Sequence, residues 1–131
     1  MLGIDTNVLV RFLTRDEPGQ YERARRIIRQ GASDPDGIYI NQLVLLETEW
    51  VLRSAYGLSK AEIVAAISAL LDAHELVFED EPAIEEALFS WKKSNADLAD
   101  CLIGAKNRRA GCRATATFDA KAAKVPGFVS A

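Results

Sequence analysis

Four carboxylates stand where chemistry could be done in this chain: Asp5, Glu47, Asp100 and Asp119. Asp5 closes the short apolar run Leu2-Gly3-Ile4, just before the second apolar segment Val8 to Leu13. Asp119 ends Thr115-Ala116-Thr117-Phe118 in the same way. A carboxylate at the carboxyl end of a strand lies where open α/β sheets hold their ligands. Glu47 shares a helical face with Leu43, Val44, Trp50 and Val51 at spacings of three and four. Asp100 sits between Leu98-Ala99 and Cys101-Leu102-Ile103, inside an apolar helix start. Gathered in one cleft, such groups would repel one another and hold protons at neutral pH unless a cation were present. Oxygen-only ligands suit Mg²⁺ or Mn²⁺ and disfavour zinc. The natural use of that arrangement is phosphate-ester chemistry with one or two metal ions.

Each acid taken singly also has a simpler reading. Asp5 is a good helix cap, and Asp119 a good turn residue. Glu47 could meet a buried arginine or lie at the edge of the core. Asp97 could cap the helix that has Asp100 at its third position, and both acids could equally face one side. Glu49 falls roughly 200° round the helix from Glu47, at about 100° per residue. With Arg53 four residues on, it suits a surface ion pair.

The elements that must position these acids alternate between short apolar runs and amphipathic stretches, the pattern of a parallel sheet covered by helices. Strands are expected at about Leu2 to Asp5, Ile38 to Ile40, Leu76 to Phe78, Arg113 to Thr117 and Phe128-Val129. Helices are expected over about Asn7–Thr14, Pro18–Gln30, Gln42–Tyr56, a stretch ending near Asp72, Pro82–Ser94 and Asp97–Ala110, with a short turn or helix from Asp119 to Lys124. Asn41 is placed to cap the third helix and Gly57 to stop it. Ser59-Lys60-Ala61-Glu62 spells a capping box for the fourth. The expected fold class is α/β, a three-layer α/β/α sandwich with a mostly parallel sheet of four to five strands.

At 131 residues, the chain is expected to be a single domain, residues 1–131, with one core. Apolar residues make up 49% and charged residues 27%, as in ordinary soluble proteins. No apolar run approaches a membrane span, and no signal peptide is evident. Cys101 and Cys112 both fall in stretches that read as buried or nearly so, with no metal or disulfide spacing, so a reducing cytoplasm is expected. The net charge of -3 argues against nucleic-acid binding by bulk electrostatics, though acids that hold cations lower the formal charge. The single histidine, His74, lies far in sequence from the acids. The chain offers no Ser/His/Asp or Cys/His constellation and no phosphate-cradling glycine loop.

Four segments together carry a family resemblance: Ile4-Asp5-Thr6-Asn7-Val8-Leu9, Leu46-Glu47-Thr48-Glu49-Trp50-Val51-Leu52, Asp97-Leu98-Ala99-Asp100-Cys101-Leu102-Ile103 and Thr117-Phe118-Asp119. In order and separation the chain resembles, over essentially its whole length, a PIN-domain ribonuclease, more narrowly the VapC-type toxin of a toxin–antitoxin pair. The resemblance implies a Mg²⁺- or Mn²⁺-dependent endoribonuclease with Asp5, Glu47, Asp100 and Asp119 as metal-binding acids and Asp97 as an auxiliary one. Thr117 and Asn7 fall where they could orient ligands or water. The resemblance also implies a cognate antitoxin that blocks the acidic cleft, and a homodimer. The second helix and the helical pair spanning Leu43 to Leu71 are candidate contact surfaces.

An RNA substrate needs cationic contacts. Lys106, Arg108, Arg109 and Arg113 are the expected backbone-binding group, being nearest the acids in sequence; Arg23, Arg25, Arg26 and Arg29 form another cluster. Three competing classes remain. A haloacid-dehalogenase-type phosphatase would need a second acid two residues after Asp5, where Asn7 stands. A PIN-like binding module without catalysis is opposed by the intact acid set. A structure-specific DNA nuclease would need extra helical regions for which this chain has no room.

Overall fold

The computed structural model describes residues 1–131. The chain forms two compact units, Met1–Glu79 and Asp80–Ala131. The first unit contains β1 (Leu2–Gly3), α1 (Thr6–Thr14), α2 (Pro18–Gly31), β2 (Ile38–Ile40), α3 (Gln42–Ser54), α4 (Lys60–Leu71) and β3 (Leu76–Phe78). Its strands form a parallel sheet in the order β1-β2-β3, with Leu2 opposite Ile38 and Ile38 opposite Leu76. Parallel neighbours require helical crossovers, which α1–α2 and α3–α4 provide. Ile38, Ile40, Leu76 and Phe78 are buried, as are Leu9, Leu45, Leu52, Ile63 and Ile67 from the helices.

The second unit contains α5 (Glu81–Lys92), α6 (Leu98–Arg109), β4 (Thr115–Thr117), a 3₁₀ turn (Ala122–Lys124) and β5 (Phe128–Ser130). The α5 helix packs on α6 through Ile84, Ala87, Leu88 and Trp91 on one side and Leu98, Cys101, Leu102 and Ala105 on the other, all buried. β4 and β5 pair in parallel, with Thr115 opposite Phe128. A Cβ on Gly104 would stand 2.5 Å from the Phe128 ring, so a glycine there lets β5 lie close on α6. The α/β class with parallel pairing is as the sequence predicts, and there are five strands. Their ladders form a set of three and a set of two, where one sheet was expected. Strands of two or three residues leave few backbone groups from which to build a wider ladder.

Local signals set most helix ends. The Asn41 carboxamide oxygen accepts from Val44 N–H at 2.9 Å. Ser59 and Glu62 complete the capping box of α4. Gly57, at φ +65°, turns the chain out of α3, and Leu58 N–H reaches back to the Leu52 carbonyl at 3.0 Å. His74 lies in the exposed turn before β3, and Cys112 is exposed rather than buried, with only Cys101 inside. Cys112 follows Gly111, past the end of α6, where the apolar pattern has stopped.

A polar clamp fastens α1 to the end of α3. The Arg11 guanidinium donates to Gln20 Oε1 at 2.7 Å and to the Tyr56 hydroxyl at 2.9 Å, and it pairs with Asp16 at 3.4 Å. The Tyr56 hydroxyl donates in turn to Asp16 Oδ2 at 2.7 Å, and Thr14 Oγ1 donates to Asp16 Oδ1 at 2.8 Å. These two hydrogen bonds, Tyr56 first, hold the Asp16 carboxyl below its ordinary value of 3.8. A lowered carboxylate stabilises the fold above its unfolded pKa, and the contribution is lost as pH falls through the folded one. Tyr56→Phe is therefore expected to lower the melting temperature by a few degrees at pH 7. The deficit should shrink as pH falls below about 4, checked by thermal melts from pH 7 to pH 2.

Candidate active site

In the first unit, Asp5 is the cap of α1: its Oδ1 accepts from Val8 N–H at 3.1 Å. The carboxylate is exposed, and Oδ2 takes no part in that cap. Asp5 borders a groove of about 340 Å³ between α1 and α2, which Asn7, Arg11, Gln20 and Arg23 also line. One residue along the chain, Thr6 Oγ1 donates to Glu47 Oε1 at 3.3 Å. That bond ties the start of α1 to α3 and brings Glu47 to the strand end that carries Asp5. Sequence reasoning missed Thr6. Its signal was its place between Asp5 and Asn7, but a threonine at the first position of a helix is unremarkable.

The two glutamates of α3 exchange the environments expected of them. Glu49 is 5% exposed and Glu47 is exposed, flanked by Leu43 at 71% and Trp50 at 58%. The core-facing stripe is Leu45, Thr48, Glu49 and Leu52. The pairing of Glu49 with Arg53 is as predicted, at 2.8 Å, but one partner lies inside. This helix is apolar almost all the way round, so its periodicity does not single out the buried face.

In the second unit, Asp97 takes the cap position of α6, yet its side chain makes no capping hydrogen bond. Asp100, half-buried, lies three residues on. Asp119 follows β4 and holds its own turn, with Oδ1 accepting from Lys121 N–H at 2.9 Å and Ala122 N–H at 2.8 Å. Thr117 Oγ1 accepts from Asp119 N–H at 3.0 Å, so it orients the backbone that carries Asp119. Asp97, Asp100 and Asp119 line one hollow of about 280 Å³ together with Asn95 and Lys121. Burial first, then the charges of Asp119 and Asp97, push the Asp100 carboxyl above its ordinary value of 3.8, against a hydrogen bond from the Asp97 backbone.

The structure thus brings Asp97, Asp100, Asp119 and Thr117 together in the second unit, and Asp5, Thr6 and Glu47 in the first. Asn7 is exposed on α1 beside Asp5. The donor chemistry is all carboxylate oxygen, which fits a hard divalent cation. Within neither unit do three acid, histidine or cysteine side chains stand as a ready-made cage. Mg²⁺ tolerates that, since it is commonly held by one or two carboxylates, waters and substrate phosphates.

The basic group proposed from sequence is partly committed elsewhere. Arg108 pairs with Glu86 at 2.7 Å and Arg109 with Asp80 at 3.0 Å. Arg113 is exposed and makes no ion pair, as does Arg23 at the groove beside Asp5. Arg25 and Arg26 share Glu22.

A family model for the PIN domain matches residues 3–127, and the chain belongs to the PIN domain family. Among solved structures, it matches a Mycobacterium tuberculosis toxin, VapC20, described as cleaving the sarcin-ricin loop. The two are 21% identical, the alignment covers 100% of this chain and 98% of that one, and the TM-score is 0.45. A comparison with curated proteins returns no match.

Two stability measurements follow from the acids. Glu49→Ala removes the ion pair with Arg53 and opens a buried site, so a loss of about 1–3 kcal/mol is expected by chemical denaturation. Glu47→Ala, exposed, should stay within about 0.5 kcal/mol. A raised carboxyl stabilises the fold below its unfolded pKa, and that contribution is lost as pH rises through the folded one. Asp100→Asn should therefore raise the melting temperature at pH 7 in chelator, with the gain fading toward pH 4.

Proposed function

We propose that this protein is a metal-dependent endoribonuclease that hydrolyses RNA phosphodiester bonds, and that it is the toxin of a type II toxin–antitoxin pair. It would work in the cytoplasm, as a single PIN-like domain over residues 1–131. Membership of the PIN domain family supports the nuclease class. The observation that carries the reading is the crowding of Asp97, Asp100 and Asp119 around one hollow, with the Asp100 carboxyl pushed above its ordinary value first by burial and then by the charges of Asp119 and Asp97. Like charges crowded together cost stability unless a cation offsets them.

The candidate ligands are Asp5 and Glu47 on the first unit and Asp100 and Asp119 on the second, with Asp97 auxiliary. Bound Mg²⁺ or Mn²⁺, as one ion or two, would neutralise these carboxylates and lower the pKa of a coordinated water. Asp5 and Asp119 would each offer the oxygen not used in their own turn. Thr6 holds Glu47, and Thr117 holds the backbone at Asp119. Asn7, beside Asp5, is assigned to orienting water or substrate. Arg23 and Arg113, free of ion pairs, are better placed to meet RNA phosphates than Arg108 or Arg109, while Lys106 keeps its sequence-based assignment. No helix is long and apolar enough to cross a membrane. The partners assigned by this reading are RNA, a cognate antitoxin and a second copy of the chain. The exposed Leu43 and Trp50 of α3 suit one of the two protein contacts.

Asparagine keeps the helix cap and the turn that Asp5 and Asp119 make, so a lost activity can be separated from a lost fold. Asp5→Asn and Asp119→Asn are each expected to cut RNA at least about 100-fold more slowly in Mg²⁺ or Mn²⁺, with melting temperatures near that of the native chain. Native rates in either variant, or undiminished cleavage in excess chelator, would refute the assignment.

A further inference from the structure

The most exposed large apolar side chain in the protein is Phe118, at 94%. It stands between Thr117 and Asp119, in the segment that carries one of the candidate acids. A phenylalanine left almost wholly in water forgoes the burial that aromatic side chains otherwise gain. The backbone on both sides of it is fixed. The Thr117 carbonyl accepts from Ala131 N–H at 2.8 Å, and the Thr117 hydroxyl accepts from Asp119 N–H at 3.0 Å. Asp119 Oδ1 then holds Lys121 N–H and Ala122 N–H, and Ala122 is fully buried. The ring is therefore presented outward from a pinned turn.

We propose that the Phe118 ring is a stacking platform for a nucleobase of single-stranded RNA, one nucleotide from the phosphate that meets Asp119. The inference rests on the reading that this chain acts on RNA. Three features favour a base over a protein partner. The ring's chain neighbours, Ala116, Thr117, Asp119, Ala120 and Lys121, are small or polar; a lone aromatic ring among them matches the single flat face of a base better than the contiguous apolar patch of a protein interface. The adjacent acids repel phosphate, so binding close to them gains from a contact that carries no charge. Finally, Lys121, exposed and three residues on, lines the acid hollow and supplies the cation that a flanking phosphate needs. Stacking on an aromatic face tolerates any base, so Phe118 would set strand geometry and affinity more than sequence preference.

The test uses the full chain carrying Asp5→Asn, with a short single-stranded RNA containing 2-aminopurine, in Mg²⁺. Phe118→Ala is expected to weaken binding about tenfold or more and to abolish the stacking quench of the fluorophore. Phe118→Trp should retain both, and Phe118→Leu should behave like alanine. Because the ring is exposed, the melting temperature should not move. In the chain with Asp5 intact, kcat/KM for RNA cleavage should fall by a similar factor in Phe118→Ala. A leucine variant as good as the native chain overturns the proposal, since apolar area alone would then suffice. Unchanged RNA binding in Phe118→Ala, accompanied by loss of a protein partner or of self-association, also overturns it. Cleavage that persists at the native rate in Phe118→Ala discards the platform and keeps the nuclease. RNA binding with the Phe118-dependent quench but no cleavage keeps the platform and discards the nuclease.

Discussion

Carboxylates at strand ends have to do two jobs in this fold, and everything proposed for the site depends on their doing both. Asp5 and Asp119 each commit one oxygen to backbone N–H groups of the turn that follows. That bond fixes the side chain without neutralising it, so the second oxygen is held out in a defined direction while the charge persists. Capping and ligation are usually weighed as rival explanations of such an acid. Here the cap orients the acid in the way the proposed ligation needs. Asp97 behaves differently: it occupies a cap position without making the side-chain bond, and its charge adds to burial and to the charge of Asp119 in raising the Asp100 carboxyl.

What the sequence conveyed best was short-range. The capping box at Ser59, the Asn41 cap and the Gly57 stop depend on residues within one turn of each other, and all three appear where their chemistry places them. A shared site for acids far apart in the chain was an expectation drawn from their strand-end positions and from the family resemblance. The two glutamates of α3 show why pattern alone falls short. Leucine, valine or tryptophan occupies seven positions between Leu43 and Leu52, so several faces satisfy the periodicity equally. Only the packed neighbours decide that Glu49 goes in and Glu47 stays out. The bond from Thr6 to Glu47 joins residues 41 apart, beyond the reach of any local rule.

Positive charge was the least readable feature. A run such as Lys106 to Arg113 looks available in one dimension, yet Asp80 and Glu86 come from a different helix or its cap to meet Arg109 and Arg108. Those pairs bind α5 to the end of α6, where cations also complement the helix dipole. A surface arginine is therefore a candidate for RNA only after its acids have been counted. By that measure Arg23 and Arg113 outrank Arg108 and Arg109.

The strand registers bear on how the chain acquires its shape. In the first unit residue 2 pairs with residue 38, and residue 38 with residue 76. In the second, residue 115 pairs with residue 128. Closing a longer loop costs more entropy before any contact repays it. The amino-terminal ladder must wait for two helical crossovers to be made, while the carboxyl-terminal one closes over a short local turn. During synthesis the order of emergence from the ribosome and the order of easiest ladder closure thus run in opposite directions.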